Sequence, residues 1–424
     1  MQKFDTKAAH TRYPWLVIGL CAAFIVYKYI LQVSPSIMTE VLMREFQISG
    51  TGVGHLAAAF FYTLLITQLF VGYCLDQYNP RYLTSAALLL CSLGAFAFAN
   101  AEQAGMAITA RALMGIGAAF ATVSYFKMTS IWFHPRQFAF VSGLLATAVM
   151  VGAIFGQAPL AGLIAHQGWR QALFLCGLLG CGLALLFVLF VRHQPLTQTS
   201  VHGRLLDTDT FSWQTVTQAL SRPQNWLLTF YSGFAFAPVD AFAGLWGIPF
   251  LQAACQMDQA KAALLTSCLF IGFGVGSPLI GLLSDYLGKR RPLMQVSALL
   301  SLVMMSIVIY VPGLTPWMIG SLLFGFGLTT GAFMLGFAVG KELNPVAATA
   351  TVIAFINTGD LTMSALTEPL IGTLLDQSWA GEFRDGIRYF SVQDYRSALA
   401  ILPLYLLLAL GLSSFIREPK PNMS

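Results

Sequence analysis

Long apolar runs alternate with short polar breaks along nearly the whole chain. A helix crossing a bilayer needs about 20 predominantly apolar residues. Runs of that kind predict twelve membrane-spanning helices, at 14–38, 52–75, 82–100, 105–131, 138–164, 170–191, 225–250, 261–284, 291–311, 316–340, 347–375 and 396–416. Most breaks hold only a few residues. Two are longer, 192–224 and 377–396, and the first falls near mid-chain. The pattern therefore predicts an all-α membrane protein with a six-helix bundle at 1–191, a cytoplasmic linker at 192–224 and a second six-helix bundle at 225–424.

Composition supports the membrane class. Of 424 residues, 57% are hydrophobic and only 10% charged, with mean hydropathy +0.70. A water-soluble domain carries roughly 25% charged residues, so this chain lacks the charge to cover a wet surface. The net charge of +5 is informative only by position. With both termini cytoplasmic, 15 of the 23 Lys and Arg residues fall on the cytoplasmic side and 6 on the other, while Lys28 and Arg111 lie within spans. That bias predicts a multi-pass protein of the bacterial inner (plasma) membrane with both termini inside. The first apolar run is too long for a signal-peptide core and reads as a retained anchor. Six of the seven cysteines sit in apolar runs, which predicts neither a disulfide framework nor a metal cluster.

The chain also repeats itself. Gly72-x-x-x-Asp76 recurs as Gly281-x-x-x-Asp285, an offset of 209 residues. Leu113-x-Gly115-x-Gly117 recurs as Leu323-x-Gly325-x-Gly327, and Pro159-Leu-Ala-Gly162 as Pro369-Leu-Ile-Gly372, both at 210. Several unrelated landmarks at one spacing indicate two parallel six-helix repeats, an arrangement in which substrate binds near the midplane between repeats.

These same residues carry a family resemblance. Gly72-x-x-x-Asp76 with Arg81, and Gly281-x-x-x-Asp285 with Gly288-Lys289-Arg290-Arg291, resemble the loop signature of the major facilitator superfamily. Gln77 and Asn79 depart from it in the first copy. Arg111-x-x-x-Gly115-x-Gly117 and Gly143-x8-Gly152-x3-Gly156 are similar to that family's motifs in the fourth and fifth helices. Shorter strings, among them Tyr27-Lys-Tyr and Val33-Ser-Pro-Ser, resemble a branch of bacterial phagosomal transporters for amino acids and nucleosides. The resemblance implies a transporter of two pseudo-symmetric bundles working by alternating access. It also implies that the third, sixth, ninth and twelfth helices are peripheral.

Four charges lie deep within predicted spans: Lys28, Arg111, Asp240 and Asp360. Each costs about 2.5–3.5 kcal/mol at the bilayer centre on insertion scales, so each is expected to face a cavity or a partner. None falls on a helix that the resemblance makes peripheral. One reading has Lys28 and Arg111 hold a carboxylate while Asp240 or Asp360 holds an amine. Another makes an Asp the proton carrier, and a third makes these residues structural or gating ion pairs. Gln32 shares a helical face with Lys28, and Asn357, Asp360, Ser364 and Glu368 form a polar stripe at helical spacing. Pro238, two residues before Asp240, predicts an irregular helix beside the acid. Tyr62, Tyr125 and Trp246 are further candidates for stacking on substrate or for packing. Asp76 with Arg81 and Asp285 with Arg290 read as gates rather than as binding residues.

No phosphate loop, metal-ligand spacing or nucleophile elbow emerges, so the chain is not expected to be an enzyme or to use a cofactor. The expectation is proton-coupled secondary uptake of a small polar nutrient such as an amino acid. Proton-antiport export of a siderophore, metabolite or drug, and a transporter-like nutrient receptor, stay open as alternatives. The partners expected are the small-molecule substrate, protons and the lipid bilayer, with no nucleic acid and the chain acting as a monomer.

Overall fold

A computed structural model describes residues 6–133, 135–191, 217, 220–345, 348–384 and 386–418. The chain forms two compact units. One comprises Met1–Ser34 with Ala59–Pro195, the other Pro35–Ala58 with Leu196–Ser424. Most of the segment expected to link two bundles, residues 192–216 together with 218 and 219, lies outside the described residues.

In the first unit α1 (Thr6–Val33) passes into a 3-10 turn at Ser34–Ile37. A short helix, α2 (Thr39–Phe46), follows before α3 (Gly50–Gln77), so the turn, α2 and the start of α3 belong to the second unit. Then come α4 (Pro80–Ala99), α5 (Ala104–Trp132), α6 (Pro135–Phe155), α7 (Ala158–Gln167) and α8 (Trp169–Phe190). The expected span 138–164 is broken between α6 and α7. Pro159 near the start of α7 lacks a backbone N–H, so the ladder cannot run through it.

The second unit holds α9 (Pro223–Ala241), a π-helical stretch at Phe242–Trp246, α10 (Gly247–Cys255) and α11 (Gln259–Leu287). It continues with α12 (Arg291–Tyr310), α13 (Pro316–Thr330), a 3-10 turn at Gly331–Met334 and α14 (Leu335–Leu343). Last come α15 (Thr349–Ser378), a hairpin of β1 (Phe383–Arg384) and β2 (Ile387–Arg388), α16 (Val392–Leu399) and α17 (Ile401–Ser413). Among the described residues, eleven helical segments are long and apolar enough to cross a membrane. The remaining expected span is α15, 30 residues that also carry Asp360, Glu368 and Asp376. The protein is an all-α, multi-pass membrane protein, and the eleven described spans with α15 roughly match the twelve expected.

Tight helix contacts explain the repeated glycines. A Cβ on Gly115 would strike the carbonyl of Phe60, and one on Gly327 the carbonyl of Leu269. Without side chains the helices approach backbone to backbone, a common way of packing helices in lipid.

Candidate functional site

In the first unit the deep charges sit at the end of α1. Lys28 is 6% exposed, with its Nζ 4.1 Å from the centroid of the Tyr29 ring. One turn on, Gln32 is also buried, and its Oε1 finds no hydrogen-bond partner. Arg111 on α5 reaches the same turn. Its Nη1 donates to the Leu31 carbonyl at 2.6 Å and its Nη2 to that of Gln32 at 3.2 Å. The last carbonyls of a helix lack partners within it, and α1 stops being α-helical at Val33. Arg111 therefore fastens the end of α1, and its guanidinium also lies 4.9 Å from the Phe60 ring centroid. Tyr125 is fully buried and donates to the Val141 carbonyl at 2.7 Å, while Tyr62 is half-buried.

In the second unit α9 and α15 pack along one another and bring the acids together. Ser364 Oγ donates to Asp240 Oδ2 at 2.7 Å. Asp360, one turn before Ser364, has Asp240 and Ser232 as its electrostatic neighbours, and its Oδ1 has no hydrogen-bond partner. Asp240, Asp360, Ser364 and Ser232 are all buried. Glu368, a further turn along α15, is 2% exposed. Trp246 is fully buried, and its indole Nε1 donates to the Glu368 carbonyl at 3.0 Å. Asn357 is only half-buried. The irregularity expected beside Asp240 is present as the π-helical stretch at Phe242–Trp246, which begins two residues after it. Pro249 also lacks the N–H that would have bonded Leu245, so the ladder is relaxed from both sides.

The loop residues expected to act as gates are partly described. Arg290 donates to Asp285 Oδ1 at 2.6 Å, to Glu342 Oε1 at 2.9 Å and to Ser284 Oγ at 2.9 Å. This joins the end of α11 to the start of α12 and the end of α14. Burial alone would lower the Arg290 pKa, but the Glu342 and Asp285 carboxylates raise it above the ordinary value. Arg81 donates to the Val188 carbonyl and lies over the Tyr82 ring. The Asp76 side chain is outside the described residues.

Sequence reasoning missed one arrangement. Asp376, in the last turn of α15, accepts from the backbone N–H of Gly50 at 3.0 Å and of Thr51 at 2.8 Å, the first residues of α3. It also accepts from Thr51 Oγ1 at 2.7 Å and from Arg388 Nη1 at 2.9 Å. An acid in the last turn of a helix opposes that helix's own dipole. In the sequence, that mismatch is the signal that Asp376 serves another element.

With two helical units and this polar clustering in hand, comparison with known proteins settles the family. The family model of the Major Facilitator Superfamily matches residues 16–252 and 236–424. The chain belongs to the major facilitator superfamily. Among curated members, a probable sulfoacetate transporter of Cupriavidus necator is 22% identical over 282 residues, 65% of this chain and 66% of that protein. A probable L-galactonate transporter of Escherichia coli is 24% identical over 62% of this chain and 60% of that protein. The matches thus span less than two thirds of these relatives' lengths. The crystal structure of a bacterial homologue of the human lysosomal transporter Spinster, inward-facing and occupied, superposes with TM-score 0.78 at 16% identity. That comparison covers 96% of this chain and 97% of the other and shows the shared superfamily fold.

Proposed function

We propose that this chain is a secondary transporter that takes up a small polar nutrient bearing a carboxylate, coupled to protons, by alternating access. Asp240 and Asp360 carry the proton. The observation behind this reading is the buried Asp240–Ser364 hydrogen bond beside Asp360, whose Oδ1 has no partner. An ionised carboxylate left in such surroundings is costly unless it is paired or coordinated. A proton, or a cation brought by the transport cycle, removes that cost. Lys28 and Gln32 supply polar groups for the cargo, because Lys28 is deep in a span and Gln32 keeps an unpartnered oxygen. Arg111 contributes by holding the turn that carries them. Relatives named for sulfoacetate and L-galactonate support an anionic cargo group. An amino acid and a sugar acid both carry one.

Purified protein in proteoliposomes tests this. An imposed inward proton gradient should drive accumulation of the cargo, with amino acids and sugar acids as the first panel. Asp240→Asn and Asp360→Asn mimic the protonated acids. At least one of them should abolish gradient-driven accumulation while leaving substrate exchange intact. Two variants that both accumulate cargo at the unmodified rate would remove these acids from coupling.

A further inference from the structure

Beside the end of α10, the second unit holds a cavity of about 440 Å³ that the proton-carrying acids do not line. Four elements contribute to it: the short helix α2, the helix α10, the hairpin and the start of α16. Its size is in the range of pockets that hold small ligands, about 300–1,000 Å³. Arg44, Arg384 and Arg388 line it against one acid, Glu40, and Gln252 and Gln256 add amides. Its lining includes the buried Met43, Phe390 and Tyr395.

Two of the arginines lie on aromatic rings. Arg384 lies with its guanidinium 3.5 Å from the Tyr389 ring centroid. Arg388 is held by Asp376 at 2.9 Å and lies over the Trp379 ring at 4.7 Å, yet keeps 35% of its side chain exposed. A guanidinium stacked on a ring still offers its edge, and that planar fork of donors fits carboxylate and sulfonate oxygens. Asp376 does not neutralise Arg388 alone, since it is committed at the same time to the start of α3.

We propose that this cavity is an anion-binding antechamber, in which Arg384 and Arg388 hold the acidic group of a small organic carboxylate or sulfonate, and Gln252 and Gln256 meet its hydroxyls. The inference deepens the proposed function by placing a first binding station for its cargo class. It rests on that reading only for the cargo's identity. With both termini cytoplasmic, as the Lys and Arg bias predicts, the helix ends that form this cavity fall on the side from which a nutrient arrives.

Calorimetry on the purified full chain tests it with three probes: D-galacturonate, sulfoacetate and the neutral hexose D-galactose. At least one acid should bind saturably while galactose does not. Arg384→Gln should weaken that binding about tenfold, the loss of one charge-assisted hydrogen bond. Arg384→Gln with Arg388→Gln should weaken it further, and Arg384→Lys should fall between. The Arg384 side chain is exposed, so its single variant folds even where the double variant loses the Asp376 contact. Binding of neither acid, or binding unaffected by Arg384→Gln, overturns the proposal. Acid binding through these arginines without accumulation in vesicles would refute the transport reading and leave the antechamber standing.

Discussion

Arg111 and Lys28 look alike in the sequence, two cations deep in apolar runs, but their surroundings differ. Arg111 is 1% exposed and spends its guanidinium on the carbonyls of Leu31 and Gln32. Lys28 lies with its ammonium against the Tyr29 ring. Composition and spacing could show that both residues need shelter. They could not separate the two roles, because the partners of Arg111 are backbone atoms that any sequence supplies. Replacing Arg111 by Ala removes the donors to two buried carbonyls, each worth about 1–3 kcal/mol when left unmet. Arg111→Ala should therefore lower stability by about 2 kcal/mol or more, read as an earlier transition on unfolding in detergent. Lys28→Gln should abolish uptake with its unfolding transition little changed. If the two variants exchanged these behaviours, Lys28 would be the structural cation and Arg111 the one that meets cargo.

At the scale of elements, the hydrophobic pattern places the spans to within a few residues wherever a polar break is sharp. Expected 82–100 is found as Pro80–Ala99, and 105–131 as Ala104–Trp132. It says little about interruptions inside a span, because Gly, Pro and apolar residues keep the run hydropathic while the ladder changes. The π-helical stretch at Phe242–Trp246 and the 3-10 turn at Gly331–Met334 are of this kind. The helix α2 was readable: Thr39, Leu42, Met43 and Phe46 are buried at helical spacing, but eight residues fall short of a span. The hairpin of β1 and β2 falls inside the longer break at 377–396, where the apolar pattern is silent. Close approach can be tested with two glycines. A Cβ on Gly327 would collide with the Leu269 backbone, whereas one on Gly182 would meet nothing within 4 Å. Gly182→Ala should be neutral or stabilising by about 0.5–1 kcal/mol, the ordinary helix preference. Gly327→Ala should be clearly destabilising, and equal melting temperatures for the two variants would contradict the packing described.

At the scale of the molecule, the 210-residue repeat indicated two like halves and matched motifs at their loops. It did not indicate that residues 35–58 join the second unit, since a repeat specifies equivalence and not partnership. Asp376 shows the difference. Its counterpart by the repeat is His166, so no motif flags it. Yet it binds the first two N–H groups of α3 and ties the 35–58 segment to α15. Past the end of α11, Arg290 joins Asp285 and Glu342 and so ties three helix ends together. Neither cluster shares a residue with the Asp240–Asp360 pair. We propose that the Arg290 cluster acts on which conformation the chain adopts, since a contact present in only one conformation shifts population by its own free energy. An acid at a helix N-terminus contributes about 0.3–1 kcal/mol, and up to about 2 kcal/mol where partly buried. Asp376→Asn should speed hydrogen exchange at the Gly50 and Thr51 amides several-fold, as expected for losing about 1 kcal/mol there. Asp285→Asn should change the rate of transport more than the affinity for cargo, measured by uptake kinetics beside calorimetry. A large loss of affinity in Asp285→Asn would mean that this acid touches cargo, and unchanged exchange at Gly50 and Thr51 in Asp376→Asn would mean that Asp376 does not hold the start of α3.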